Sequence, residues 1–318
     1  MVASPRALIT GITGQDGWYL AKHLLELGHE VVGTSHREGV NALEVEGSSV
    51  RVVTLADTLQ PTLRALLAVE RPELVFNLAA RASSAQLFDD PLATAEVNGL
   101  QVASWLEAIR LESPQTRFCQ ASSSEIFAGA AVSPQDETTR PVPCSAYGAA
   151  KAYADHLVNA YRRTHGLFAC SAVLYPHESP RRPVHFLMRK VTHSAARIAA
   201  GLDRGLALGD LDATRDWGYA ADYMEALRLM LAAKDPEDFV IASGGAHTVR
   251  DVCQVAFARV GLDFREHVTT DPRFQRPKEA VPRIGDAKRA RETLGWAPSL
   301  SFEQLVDLLV DADCAALR

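Results

Sequence analysis

Through the first 175 residues, short apolar runs alternate with segments whose apolar positions recur at helical spacing. Ala7-Leu8-Ile9-Thr10 is such a run and predicts a buried strand. Behind it Trp18, Leu20, Leu24 and Leu27 return at the spacing of a helix, with Tyr19 and His23 beside them. Further strands are predicted at Glu30–Thr34, Val50–Val53, Leu74–Leu78, Thr116–Ala121 and Phe168–Leu174. Helices are predicted over Leu59–Glu70, Pro91–Leu111 and Ala146–His165, the proline being tolerated in a first turn. Apolar strands separated by helices are the pattern of central parallel strands covered on both faces. The fold class is therefore α/β, a doubly wound parallel sheet with ligands at the carboxyl ends of its strands.

Past Leu174 the pattern changes. Pro176, Pro180 and Pro183 interrupt regularity, and Arg181, Arg182, Arg189 and Lys190 concentrate positive charge. Phe239–Ala242 predicts one more strand returning to the main sheet, and Val249–Val260 a helix. A second basic, proline-rich stretch runs from Asp271 to Arg283. The expected division is a dinucleotide-binding domain of residues 1–174 plus about 215–245. A smaller, discontinuous α/β domain for the substrate takes about 175–214 plus 246–318.

Composition narrows the function classes. At 318 residues and 47% hydrophobic the chain can bury a sizeable core, and a net charge of −6 argues against a nucleic-acid partner. Five scattered cysteines form no CxxC pair, which suits a reducing compartment and predicts no metal site. The first strand begins too early for a signal peptide, and no apolar run reaches membrane-spanning length. The expectation is a cytoplasmic globular protein without a membrane partner.

Three clusters carry candidate chemistry. Gly11-Ile12-Thr13-Gly14-Gln15-Asp16-Gly17 lies between a strand and a helix, the context in which a glycine turn lets a pyrophosphate approach free helix N–H groups. Glycines that merely open a helix are the alternative. Tyr147 and Lys151 stand four apart on a predicted helix and share a face; an ammonium near a phenol favours the phenolate. An aromatic–lysine pair on a solvated helix would read the same. Ser122-Ser123-Ser124-Glu125 follows the fifth strand, where such a sheet places its site, although three serines also make a polar turn. Tyrosine, lysine and serine suffice to oxidise an alcohol, and a carboxylate beside them can remove the proton that a new ketone acidifies.

The GxxGxxG spacing is a variant typical of short-chain dehydrogenase/reductase proteins. The runs GITGQDGWYLA, NLAA at Asn77–Ala80, RFCQASSSE, SAYGAAK, HESPRR at His177–Arg182 and RDWGYAADY at Arg215–Tyr223 resemble the GDP-mannose 4,6-dehydratase family. The resemblance continues through Asp271–Pro277 and Leu294-Gly295-Trp296, so it spans nearly the whole chain. It implies a tightly held NADP, with NAD the other dinucleotide the fold admits, and a nucleotide-sugar substrate. Tyr147 would be the base at carbon 4, Lys151 would tune it and hold the nicotinamide ribose, and Glu125 would take the carbon 5 proton. Ser123, at the family's usual threonine position, would assist as water leaves from carbon 6. Leu55, Leu78, Ala79, Ala80, His177 and Arg182 fall at cofactor positions. Ser84, Lys190, Arg215, Arg276 and Glu279 fall at substrate positions, together with Glu125. A homodimer or homotetramer is implied, and apolar faces on the helices at about 91–111 and 146–165 could pair two subunits.

Arg37 follows the second strand where an NAD site usually carries an acidic residue, and a guanidinium suits a 2′-phosphate. Departures from the family pattern are Pro176 for asparagine, Thr54 for an aspartate at the adenine, and Phe127-Ala128 for Tyr-Gly. These keep open a dehydratase of another nucleotide sugar, such as a GDP-heptose. A 4-epimerase or 4-ketoreductase would not need Glu125, and a dinucleotide sensor would not need the tyrosine–lysine pair.

Overall fold

The period-two burial of the first strand sets the layers of the fold. In β1 (Arg6–Thr10) Ala7 and Ile9 enter the core on one face of the sheet and Leu8 the core on the other. The computed structural model describes residues 5–82, 90–274 and 281–318. After β1 come α1 (Gln15–Glu26), β2 (Glu30–Ser35), β3 (Ala42–Val45), β4 (Ser48–Thr54), α2 (Gln60–Glu70) and β5 (Leu74–Asn77). They are followed by α3 (Pro91–Ala95), α4 (Gln101–Glu112), β6 (Arg117–Ala121), α5 (Ala146–His165) and β7 (Ala169–Leu174).

The remaining elements are β8 (His177–Glu178), α6 (Leu187–Ala199), β9 (Leu206–Leu208), β10 (Thr214–Arg215), β11 (Gly218–Tyr219) and α7 (Ala220–Ala232). Then come β12 (Phe239–Ile241), β13 (His247–Thr248), α8 (Val249–Arg259), β14 (Val268–Thr270), α9 (Lys288–Leu294) and α10 (Phe302–Ala316). Eight strands form one sheet in the order β12-β7-β6-β5-β1-β2-β4-β3, parallel throughout except that β3 runs antiparallel to β4. The strand predicted at Phe239–Ala242 does return to this sheet, beside β7.

Helices cover both faces. Leu20 and Leu24 of α1 pack with Met224 and Leu227 of α7 on one side. Leu63 and Leu67 of α2, Trp105 and Leu106 of α4 and Val158 of α5 pack on the other. Each such side chain contributes roughly 1.5–3 kcal/mol on leaving water. A third cluster, built from Met188 and Val191 of α6, Val252 and Phe257 of α8 and Leu305 and Leu309 of α10, lies apart from the sheet. The buried Arg189–Asp313 ion pair joins α6 to α10 within it.

Two local predictions need correction. Residues 42–45 form the unpredicted β3, an edge strand turned back on β4 through Glu46-Gly47, both in the left-handed region. The continuous helix expected over Pro91–Leu111 is interrupted at Glu96–Leu100 by a wider π-helical turn. The buried Asn98 in that turn accepts from Arg81 N at 3.2 Å and donates to Arg81 O at 3.3 Å and Thr94 O at 3.0 Å. Among the described residues no helix is long and apolar enough to cross a membrane.

Candidate active site

β1 pairs with β2 on one side and β5 on the other, so the chain order reverses at its carboxyl end and opens a crevice there. The glycine turn fills that end. Gly14 N–H closes it on Gly11 O at 3.0 Å, and Gly14, as N-cap, has no side chain to occupy the free N–H groups of α1. The other loop residues divide their work. Ile12 is fully buried, and a Cβ on Gly17 would stand 2.4 Å from Ile12 Cα, so these two pack the helix on the strand. Thr13 is half-buried and Gly14 exposed, on the open side.

Polar side chains stitch the strand ends together. Thr10 Oγ1 donates to Asn77 Oδ1 at 2.7 Å and accepts from Ala79 N at 2.9 Å, fixing the Leu78-Ala79-Ala80 wall. Asn77 Nδ2 donates to Gln120 Oε1 at 2.7 Å, and all three side chains are buried. Gln15 donates to His177 O at 3.2 Å and accepts from Ser179 at 2.7 Å, tying the loop to the segment after β7. His177 Nε2 lies 3.1 Å from Asp16 Oδ1. Burial pushes the Asp16 carboxyl up, but the His177 charge and hydrogen bond and the Arg182 charge outweigh it and hold it well below the ordinary range. Burial works against the His177 cation, yet Asp16 leaves its pKa raised.

Arg37 is exposed just beyond β2, preceded by Ser35 and His36 and followed by Glu38. Thr54 ends β4, and Leu55 N donates to Ser35 O at 2.9 Å. Arg182 lies 3.7 Å from Glu178 Oε2 and covers the Phe186 ring.

The catalytic candidates converge at the ends of β6 and α5. Ser123 caps the short 3-10 turn Ser124–Phe127, accepting from Glu125 N at 3.2 Å. Ser145 caps α5, accepting from Gly148 N at 3.0 Å. The two elements touch so closely that a Cβ on Gly148 would stand 2.6 Å from Glu125 O, which brings Tyr147 beside the turn. Burial pushes the Tyr147 phenol up to about 12; a hydrogen bond with Ser123 works against it and the Glu125 charge adds to it. Lys151 does not meet the phenol as its spacing suggested. Its Nζ donates to Ala121 O at 2.7 Å and stands 5.7 Å from the Tyr147 ring centre, while burial lowers its pKa to about 8. The expected lowering of the tyrosine by this lysine is therefore not found in the free protein.

Two substrate-side candidates are described. Lys190 donates to Ala207 O at 2.9 Å with its Nζ 4.6 Å over the Phe274 ring, and burial lowers its pKa. Arg215 Nη1 donates to Thr214 O at 2.7 Å, and its backbone bridges to Arg283. Ser84, Arg276 and Glu279 lie outside the described residues.

Comparison with known proteins places this site in a family. The GDP-mannose 4,6 dehydratase family model matches residues 8–309. The chain is 41% identical to GDP-mannose 4,6 dehydratase 1 of Arabidopsis thaliana, over 98% of this chain and 91% of that one. The chain belongs to the GDP-mannose 4,6-dehydratase family. It is also 38% identical to the human GDP-mannose 4,6 dehydratase, over 98% of this chain and 92% of that one. Its fold matches the UDP-glucose 4-epimerase of Thermotoga maritima, solved with UDP-glucose, with a TM-score of 0.86 at 25% identity over 98% and 100% of the two chains.

For a member of the GDP-mannose 4,6-dehydratase family, three polar side chains around the site were not picked out from sequence. Asp155 lies one helical turn beyond Lys151 and accepts from Ser122 Oγ at 2.5 Å; that spacing was a readable signal. Asp216, within the RDWG run, is fully buried and accepts from Ser243 N at 3.0 Å, Gly244 N at 3.0 Å and Gly285 N at 3.1 Å. Arg283 closes the basic stretch already noted, and its Nη1 lies 2.6 Å from Glu125 Oε1. No local pattern announces that pairing, since 158 residues of chain separate the two.

Proposed function

We propose that the protein converts GDP-mannose to GDP-4-keto-6-deoxymannose with loss of one water, through a bound NADP that is regenerated in every turnover. The observation that carries this reading is the placement of Glu125 in the turn capped by Ser123, against the helix that carries Tyr147. An epimerase or ketoreductase has no use for that carboxylate.

The residues fit a dinucleotide. The uncapped first turn of α1 suits a pyrophosphate, and the Leu78-Ala79-Ala80 wall is held by Thr10. The exposed Arg37, with Ser35 rather than an acid at the end of β2, suits a 2′-phosphate and favours NADP over NAD. A bound nicotinamide supplies a hydride acceptor for carbon 4 and a hydride donor for carbon 6. Tyr147 takes the carbon 4 hydroxyl proton. Burial raises the pKa of its phenol in the free protein. Ser123, which caps the turn that carries Glu125, assists as water leaves from carbon 6. Glu125 removes the carbon 5 proton, which the ketone has made acidic, and the carbon 6 hydroxyl departs as water. Lys190 and Arg215, with Arg276 and Glu279, hold the nucleotide diphosphate and its ribose.

The division into a dinucleotide-binding part, residues 1–174 plus about 215–245, and a sugar-nucleotide part assigns the sheet to the cofactor and the third cluster to the substrate. Exposed Leu92, Leu100 and Tyr153, on adjoining α3, π turn and α5, support pairing with a second copy, and a single-chain mass in sedimentation would contradict it. A dehydratase of a GDP-heptose is the second reading, favoured by Pro176, which offers the sugar no side-chain donor.

Product mass tests the reading. Incubation with GDP-mannose should give loss of one water without consumption of added NADPH, and Glu125→Gln should slow it by roughly 10²–10⁴. An unchanged rate in that variant would remove Glu125 from the mechanism. Water loss from another nucleotide sugar but not from GDP-mannose would favour the second reading.

A further inference from the structure

The Glu125 carboxylate has a counter-charge delivered by rigid backbone. Arg283 is 9% exposed at its side chain and Glu125 20%, and their contact at 2.6 Å spans two distant parts of the chain. The segment bearing Arg283 is tied down on three sides. Gln135 N donates to Ile284 O at 2.8 Å, and Asp286 N donates to Gln135 O at 2.8 Å. Gln135 Nε2 reaches Pro282 O at 3.3 Å, and Gln135 Oε1 accepts from Tyr175 at 2.7 Å. Gly285 N is held by Asp216, and Arg283 itself bridges to Arg215. The guanidinium fixed in this way meets Oε1 of Glu125 through Nη1 at 2.6 Å.

We propose that Arg283 is the positioning residue for Glu125: it anchors one carboxylate oxygen and aims the other at the carbon 5 proton. The proposal rests on the dehydratase reading above. In the step it serves, the C5–H bond breaks and its proton passes to Glu125. The electron pair forms the C5=C6 bond as the C6–O bond breaks. The same proton then goes to the departing oxygen, so water leaves and the carboxylate is restored. Arg283 stays cationic throughout and exchanges no proton. Oxidation at carbon 4 does not use this pair, so losing Arg283 should stall elimination and leave the 4-ketone waiting.

The test measures the two halves of turnover separately in Arg283→Gln and Arg283→Lys. Turnover mixtures are quenched with borodeuteride, which places deuterium at carbon 4 of any unreacted ketone, and the recovered hexose is weighed by mass spectrometry. Arg283→Gln should lower kcat for water loss about tenfold or more, with KM for GDP-mannose within about twofold and a clear rise in carbon 4 label. Arg283→Lys, which keeps charge but not the planar fork, should fall between Gln and the unmodified chain in both readouts. An unchanged kcat in Arg283→Gln, or a raised KM with no trapped ketone, would overturn the proposal. If Arg283→Gln does not fold, Arg283→Lys decides: partial ketone accumulation supports the role, and an unaltered profile sinks it. Failure of the unmodified protein to dehydrate GDP-mannose would instead count against the functional reading itself.

Discussion

Lys151 and Tyr147 share a helix face, yet each is governed by what encloses it. The ammonium has turned to the Ala121 carbonyl, and one helical turn further Asp155 lies enclosed against Ser122. Burial pushes the Asp155 carboxyl up to about 7, the Ser122 and Ser171 hydrogen bonds and the Lys151 charge lower it, and the Asp238 charge raises it. The sign of its effect on stability follows. An unfolded Asp155 loses its proton near 3.8 and the folded one only near 7, so the folded state binds more protons between those values. This group's contribution is fully present below about 3.8 and is lost as pH rises through about 7. Asp155→Asn should therefore flatten the decline of stability with rising pH across that window, as read by urea unfolding at a series of pH values. Parallel curves for the two proteins would contradict the assignment. At this scale the sequence displayed residue types and helical spacing, which made Ser123, Glu125, Tyr147 and Lys151 legible as one group. Burial, which sets their pKa directions, was not legible.

Helix α5 and the 3-10 turn form the unit that holds the candidate chemistry. Ser145 caps the helix, Ser123 caps the turn, and Gly148 allows the two backbones to touch. Gly148→Ala puts a methyl carbon 2.6 Å from a backbone oxygen that cannot swing aside. The expected cost is about 1–3 kcal/mol, with kcat falling as Tyr147 and Glu125 separate. Thermal unfolding and kcat measured together check this, and an unchanged variant would show that the close approach is not required. Elements of the first half were legible because their periods are clean. The π turn at Glu96–Leu100 was not, because its cause is a tertiary contact, Asn98 reaching the Arg81 backbone. Helix α10 was legible in principle. Ser301 and Gln304 form a reciprocal capping box ahead of an apolar stripe, a signature that could have been read directly.

Across the whole molecule, Asp216 draws together segments that are far apart in sequence. Its carboxylate gathers the backbone after β12 and the segment bearing Arg283, which in turn meets Glu125 after β6. The doubly wound sheet followed from alternating apolar runs and helical spacing. The meeting of Arg283 with Glu125, and the hold of Asp216 and Gln135 on the segment around Arg283, did not, because such contacts leave no local period. Apart from the helix at Val249–Val260, the part of the chain past Leu174 and outside the main sheet was readable mainly as basic, proline-rich stretches, since its short strands of two or three residues carry too little pattern to announce themselves. The proposed dehydration is internal and redox-neutral: the hydride lost at carbon 4 returns at carbon 6. It is tested most directly with GDP-mannose bearing deuterium at carbon 4, mixed with an equal amount carrying heavy carbon but no deuterium. Deuterium should appear at carbon 6 of the same molecules that carried it, with none crossing to the heavy-carbon product. Deuterium lost to solvent, or found in the heavy-carbon product, would contradict it.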